Sequence, residues 1–378
     1  MNRIPKIMSI GIFFGFLLLL PVLTIILPKQ SFSEVENRSL SEMPEFNAIS
    51  VMSRDFMNGT EDFLSDHFAA RSSWIGIKTD IELLSGKSEV NNVFILENRL
   101  VERTPQPDYQ LADLSIQAIN DFAEKYSVPT FVMIAPTSGG IYMDELPENS
   151  GSFNQKTLID YVYNGLDNEN VTALNAYSAL YATRDEYIYY RTDHHWTTLG
   201  AYYAYSSTIK KMGFTPVSLG KFDIEHASHS FKGTLYSKVL YDEIEDDVID
   251  YYYNKSSAKV MSVIVGEGEQ AEVYDSLYFR EYLAKKDKYS SFTGPNQPLI
   301  NIKTDSLSGK KLLLIKDSYA HCFVPFLVQH YSEIEMLDLR YINSSIENYV
   351  DVSSYDQVLF LYNATSFAED ENIKKLGL

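Results

Sequence analysis

The string Thr192-Asp193-His194-His195-Trp196-Thr197-Thr198 sets a carboxylate two residues before an imidazole. It follows the strand-like run Tyr187-Ile188-Tyr189-Tyr190 and precedes a helical pattern from about Leu199 to Met212, for which Thr197 or Thr198 is a suitable N-cap. In an extended segment, side chains i and i+2 leave the same face. Asp193 can then meet the ring of His195, fix its tautomer and leave the other ring nitrogen as a general base, while His194 points elsewhere. A solvated helix start and a metal site are the other readings. Histidine pairs with a carboxylate occur in metal sites, but the other pair, His226 and His229, completes no ligand set of convincing spacing.

A second string, Leu312-Leu313-Leu314-Ile315-Lys316-Asp317-Ser318-Tyr319-Ala320, runs from an apolar strand through Asp-Ser into a helical pattern. A serine on such a turn is exposed at the sheet edge, and its own N–H can receive an oxyanion. A plain Ser or Asp N-cap gives the same string. Two more strand ends carry polar residues: Arg340 follows Met336-Leu337-Asp338-Leu339, and Asn363 follows Val358-Leu359-Phe360-Leu361-Tyr362. Each fits a cap or turn, and each also sits where a donor would face the serine. Cys322 is the rival nucleophile, but it falls inside a predicted helix and reads as a small buried residue.

The elements that must position these residues alternate. Apolar strands are expected at 130–135, near 171–174, at 311–315, 334–339 and 357–362, with helices at 111–126, 155–166, 319–331 and near 344–350. Five strands separated by helices predict an α/β fold with a mostly parallel sheet covered on both faces. Sites in such sheets form at the carboxyl ends of the strands. Earlier in the chain, 61–84 has helix-spaced apolar positions (Phe63, Phe68, Trp74, Ile77, Ile81, Leu84), and 90–101 reads as a short hairpin. Residues 214–300, rich in Tyr and Asp, break the alternation and read as an insertion or cap.

Arg3 and Lys6 precede an uncharged apolar stretch, Ile7 to Leu27, which as a helix spans about 31 Å, a bilayer core. Thr24-Ile25-Ile26-Leu27-Pro28 offers no small-x-small cleavage site, so an uncleaved signal anchor is favoured over a signal peptide. Pro21 would kink this helix without preventing insertion. The basic flank then stays cytoplasmic, and everything after Pro28 lies outside. Residues 29–60 read as a polar stalk, leaving 61–378 as the catalytic domain. With 32 Lys+Arg against 51 Asp+Glu, the net charge of −19 disfavours nucleic acid, whose phosphates need clustered cations. One cysteine excludes an internal disulfide framework and a multi-Cys zinc site. The 28 tyrosines, in runs at 187–190 and 251–253, read as strand and surface packing or as platforms for sugar rings.

Together these residues resemble the DHHW family, whose name is the string Asp193-His194-His195-Trp196, and through it the SGNH-hydrolase-like enzymes that O-acetylate alginate in bacterial envelopes. The likeness runs over nearly the whole chain after residue 30. It includes the membrane-anchored N-terminus, the lead-in Glu36-Asn37-Arg38-Ser39-Leu40 with Pro44, the Asp-x-His-Trp motif and the later Asp-Ser turn. Ordinary SGNH enzymes put the serine first and the Asp/His block last. Here His195 precedes Ser318 by 123 residues, the order of the circularly permuted acetyltransferase branch. Arg340 stands where the ordinary pattern has glycine.

The resemblance implies a three-layer SGNH-like fold and an extracytoplasmic O-acetyltransferase acting on a cell-envelope or exported polysaccharide. Ser318 would be the nucleophile, His195 the base and Asp193 its orienting acid. Ser318 N–H and Asn363 would hold the oxyanion with help from Arg340. No metal or cofactor is implied, and a multispanning membrane acyltransferase would be a fitting acyl source. An esterase with the same triad and a non-catalytic glycan-binding surface protein are the alternatives. The acidic charge favours a neutral polymer.

Overall fold

The runs around residues 131, 313 and 359 read as unbroken hydrophobic stretches because both faces of their sheet are covered. The computed structural model describes residues 3–36, 38–254, 258–268 and 271–377. Asn37 of the lead-in, and 255–257 and 269–270 of the 214–300 segment, lie outside the described residues. The strands that bear on the site are β1 (Thr130–Ala135), β2 (Val171–Ala173), β3 (Phe222–Phe231), β4 (Asp247–Asn254), β5 (Val260–Val265), β6 (Glu272–Tyr274), β7 (Leu299–Thr304), β8 (Lys311–Lys316), β9 (Glu333–Leu337) and β10 (Gln357–Asn363).

One eight-stranded sheet has the order β6-β5-β7-β9-β8-β10-β1-β2. The five strands expected from the sequence, β9, β8, β10, β1 and β2, pair in parallel, with Ile315 of β8 opposite Leu337 and Phe360. Alternate residues feed two cores. Leu312, Leu314, Leu359 and Leu361 enter one with Trp196, Ala201 and Tyr205. Leu313, Ile315, Val358 and Phe360 enter the other with Ile119 and Phe122 of the helix Tyr109–Tyr126 and Leu158 and Val162 of the helix Gln155–Gly165. The α/β fold with a mostly parallel sheet expected from the sequence is thus present, with side chains buried on both faces of this part of the sheet.

The 214–300 segment is no appended cap. β5 and β6, with β7 after them, extend the same sheet in antiparallel pairing, and β3 and β4 form a hairpin. The helix expected over 319–331 is also replaced. A 3-10 turn spans Ser318–Ala320 and a one-turn helix spans Val324–Leu327, with Pro325 in its first turn. Proline has no N–H and clashes with the preceding turn, so a continuous helix cannot run through it. Likewise only a 3-10 turn, Ile346–Asn348, forms near 344–350.

The chain divides into two compact units, Met1–Asn91 with Tyr236–Glu243, and Asn92–Leu235 with Ile244–Leu378. The sheet lies in the second. Residues 61–91, assigned from sequence to the catalytic domain, fall in the first. There the helix Arg3–Ile26 contains Ile7–Ile26, long and apolar enough by length and composition to cross a membrane. The polar stalk is not featureless. Glu36 pairs with Arg38 and Arg71 at 2.9 and 2.8 Å, and Arg38 pairs with Asp66. The single helix expected at 61–84 is two, Asp55–Asp66 and Arg71–Leu84, separated where Ala70 takes a left-handed φ of 57°.

Candidate active site

Asp193 and His195 meet, although not by the extended backbone expected for them. The side chain of Asp193 turns back on its own segment, and Oδ1 accepts the backbone N–H of His195 at 3.0 Å, an Asx turn. The same oxygen takes the His195 Nδ1 proton at 2.6 Å. The turn also brings His194 round: its ring centroid is 3.9 Å from that of His195, and its Nδ1 is 2.7 Å from the Thr234 hydroxyl. The expectation that His194 points away is therefore corrected. A turn does not alternate side chains as a strand does.

The other carboxylate oxygen, Oδ2, accepts the N–H and O–H of Thr234 at 2.8 and 3.0 Å. The chain can approach so closely because residue 233 is glycine. A Cβ there would lie 2.2 Å from the Asp193 Cβ and 2.4 Å from its Oδ2. Thr197 then caps the helix Thr198–Thr208 by accepting the Gly200 N–H, as the sequence predicts.

His195 Nε2 lies 2.7 Å from Ser318 Oγ. An ionised carboxylate only accepts, so Nδ1 carries the ring proton and Nε2 accepts from the serine hydroxyl. Burial pushes the imidazole down to about 4; the neighbouring His194 adds to this and the Asp193 charge opposes it. His195 is thus neutral near pH 7, the form a base requires. Burial alone would raise Asp193, but the histidines and the hydrogen bonds it accepts outweigh burial and hold it well below the carboxylate range.

Ser318 begins the 3-10 turn, and Asp317 is the N-cap, its Oδ1 accepting the Tyr319 N–H at 2.8 Å. The cap reading and the nucleophile reading therefore belong to adjacent residues. Ser318 is partly exposed, and its N–H makes no hydrogen bond among the described residues. Two struts join the turn to the histidine loop: Trp196 Nε1 donates to the Tyr319 carbonyl at 3.0 Å, and the Tyr319 hydroxyl donates to the His194 carbonyl at 2.5 Å. Tyr289, from the 214–300 segment, stacks on His195 at 3.7 Å with planes 10° apart, and its hydroxyl donates to the Ser318 carbonyl at 3.0 Å.

Asn363 follows the neighbouring strand, as expected, but its amide is committed. Nδ2 donates to Asp317 Oδ2 and to Ser366 Oγ, both at 2.7 Å, and Oδ1 caps the helix Ala364–Glu369. No amide hydrogen is left for an oxyanion, so in this arrangement Asn363 braces Asp317. Arg340 is half-buried. Its Nε and Nη2 bind Asp338 at 2.8 and 2.6 Å, and Asp338 also receives the buried Lys316 ammonium at 3.2 Å. A guanidinium gripped along one edge keeps its remaining N–H groups on the other, and Nη1 makes no hydrogen bond among the described residues. Its charge is felt at both His195 and Asp317.

Donor atoms of Asp193, His194 and His195 lie within 4.8 Å of one another, close enough for a metal. Yet both nitrogens of His195, both oxygens of Asp193 and Nδ1 of His194 are already hydrogen-bonded, so this donor set does not fit an ion without dismantling the pair. His226 pairs with Asp250 at 2.7 Å, its ring 5.8 Å from that of His229. Cys322 is fully buried, and burial pushes its thiol up to about 12, which removes the rival nucleophile. Sequence reasoning missed Gly233, Thr234 and Tyr289. Gly-Thr is a faint turn signal, and nothing marks Tyr289 among 28 tyrosines.

A family model described as "DHHW protein" matches residues 106–337. The structure is similar to that of a DHHW family protein from Eubacterium siraeum, at 27% identity over 76% of this chain and 96% of that one, with a TM-score of 0.66. It is also similar to Bacillus cereus PatB1, at 21% identity over 74% of this chain and 98% of that one, with a TM-score of 0.63; PatB1 has also been determined with a sulfonyl adduct. Comparison with curated protein sequences gives no match.

Proposed function

The chain belongs to the DHHW family, and on that premise we propose that it is an O-acyltransferase that acetylates a cell-envelope or exported polysaccharide outside the cytoplasm. The observation that carries the reading is the continuous hydrogen-bonded path Asp193–His195–Ser318, at 2.6 and 2.7 Å. Ser318 Oγ attacks the acyl carbon of the donor while Nε2 of His195 takes its proton. Asp193 stabilises the imidazolium so formed and keeps its tautomer. The tetrahedral oxyanion is received by the Ser318 N–H and by the unengaged edge of Arg340, not by Asn363, whose amide is occupied. His195 returns the proton to the leaving group. It then deprotonates a sugar hydroxyl, which attacks the acyl-serine and regenerates Ser318. No metal or cofactor enters this sequence.

The helix Ile7–Ile26 would anchor the protein in the membrane, near a multispanning acyltransferase able to supply acyl groups. An esterase would use the same residues, with water as acceptor. The test uses the full chain in detergent. A small activated acetate ester should be hydrolysed, a sulfonyl fluoride should label Ser318, and acetate should pass to an envelope glycan in preference to water. Ser318→Ala and His195→Ala should each cost about 10⁴-fold in turnover, and the double variant little more, since triad members act as a unit. Undiminished hydrolysis in Ser318→Ala would overturn the enzyme reading. Hydrolysis without transfer to any glycan would favour the esterase.

A further inference from the structure

Behind the histidine loop lies a second carboxylate that takes no part in the chemistry described above. Asp247, the first residue of β4, is completely buried. A carboxylate in that position needs donors on both oxygens, and it has four. Oδ1 accepts the Tyr187 hydroxyl at 2.5 Å and the Arg191 N–H at 2.7 Å. Oδ2 accepts the Thr192 N–H at 2.8 Å and the Thr192 hydroxyl at 2.5 Å. Arg191 and Thr192 are the two residues immediately before Asp193.

The Thr192 hydroxyl oxygen in turn accepts the Gly233 N–H at 3.0 Å. Gly233 lies against Asp193, and the next residue, Thr234, donates twice to Asp193 Oδ2. One buried carboxylate therefore ties down both segments that grip Asp193: the chain leading into it, and the chain folded over it. None of these contacts reaches Ser318 or the reacting nitrogen of His195.

We propose that Asp247 is a positioning residue, whose ionised carboxylate holds the Asp193–His195 pair in register through Thr192 and Gly233–Thr234 and whose protonation loosens it. The proposal rests on the reading of Asp193, His195 and Ser318 as a triad. Each oxygen of Asp247 faces two donors, so the carboxylate can serve all four only when it carries no proton. A proton on Oδ2 would turn the Thr192 hydroxyl from donor to acceptor, sending its own proton toward the Phe231 carbonyl at 3.5 Å and disturbing the Gly233 N–H that it accepts.

The charged and titratable groups around Asp247 come from every neighbouring segment. Tyr187 and Tyr190 precede the loop, and the Arg191 guanidinium lies over the Tyr187 ring and 3.6 Å from Glu245. Asp246 pairs with Lys232, which follows β3, at 3.7 Å. Along β4, Asp250 pairs with His226 of β3. Burial pushes Asp247 up to about 6, against the pull of its donors. Burial and the Asp247 charge both raise the Tyr187 hydroxyl, which stays a donor. With burial holding His195 down to about 4 and Asp247 up to about 6, the proposal implies a window between those values in which the base is neutral but the clamp is protonated.

The experiment is the pH profile of kcat/KM for hydrolysis of a small acetate ester by the full chain, in the wild type, Tyr187→Phe and Asp247→Asn. The wild-type acid limb is expected near 6 instead of near 4. Tyr187→Phe removes one donor from the ionised carboxylate, so its limb moves up by about one pH unit while the high-pH plateau stays within about threefold. Asp247→Asn, which turns an N–H toward donors, lowers the plateau by about 10- to 100-fold and moves the limb down to that of His195. A wild-type limb near 4 that Tyr187→Phe does not move would overturn the proposal, whether or not Asp247→Asn folds. If the wild type hydrolyses no ester, the acyl-transfer reading has failed separately. The low-field proton resonance of His195 Nδ1 then reads the clamp without turnover: it should broaden or vanish as pH falls through 6, and its persistence to pH 4 would overturn the proposal.

Discussion

Replacing Gly233 by alanine adds one carbon at a point where the structure has no room for it. That Cβ would lie 2.2 Å from the Asp193 Cβ, 2.4 Å from Oδ2 and 2.6 Å from Cγ. Ordinary contact begins near 3.4 Å, so one of the two segments must move by about 1.2 Å. Gly233 takes no left-handed φ, so the conflict is one of space alone. If Asp193 yields along its bond to His195, that 2.6 Å contact opens to about 3.8 Å, beyond hydrogen-bond range. Loss of the aspartate's orienting role costs about 10⁴ in the trypsin-type case, and a displaced but still charged carboxylate should cost less, about 10²- to 10³-fold in kcat. Overpacking should lower stability by about 1–3 kcal/mol. The assay is ester turnover together with thermal unfolding. The rate of sulfonyl fluoride labelling at Ser318 should fall in parallel with kcat, because both need the base. Gly233→Ala with wild-type kcat would refute the claim that this close approach fixes the aspartate.

Asn363→Ala should act mainly on stability, by about 1–3 kcal/mol, since it leaves the buried Asp317 short of a donor; Arg340→Gln should lower kcat by about 10- to 100-fold and also lower Tm, since it takes two donors from the buried Asp338. Equal kcat losses in the two would return Asn363 to the oxyanion site. Extensive chelation should change neither folding nor turnover, measured by thermal unfolding and ester hydrolysis, because the donor atoms at 193–195 are already hydrogen-bonded. Tyr289→Phe keeps the ring on His195 and should retain most activity, whereas Tyr289→Leu removes the 3.7 Å stack and should lower kcat by about tenfold or more.

What could be read from the sequence divides along physical lines. The parallel strands were legible because burial on both faces leaves unbroken apolar runs, and Ser318, Arg340 and Asn363 were legible as polar residues ending such runs. Their tasks were less so. Asn363 has the right type and place for an oxyanion donor, and only the positions of Asp317 and Ser366 reveal that its hydrogens are spent elsewhere. The pairing of Asp193 with His195 was anticipated from a strand geometry that does not exist. An Asx turn, formed by the aspartate's own side chain, produces it instead. The 214–300 segment lacked a helical period and so read as an insertion. Its contributions, β5, β6 and the ring of Tyr289, depend on partners far away in sequence that local pattern does not encode.

The strand that ends in the serine has both of its sheet neighbours later in the chain: β8 lies between β9 and β10, and β10 is what joins it to β1. A growing polypeptide that has emerged as far as residue 318 thus holds base and nucleophile in one molecule, but β8 has no strand on either side of it. The turn at Ser318 is fixed only when β10 closes the gap and Asn363 reaches Asp317. Long-range pairings of this kind form late. On the proposed placement outside the cytoplasm, the chain would cross the membrane before its serine is fixed, and a stop codon soon after Ser318 would release a protein with the Asp193–His195 pair formed but β8 lacking both of its neighbours.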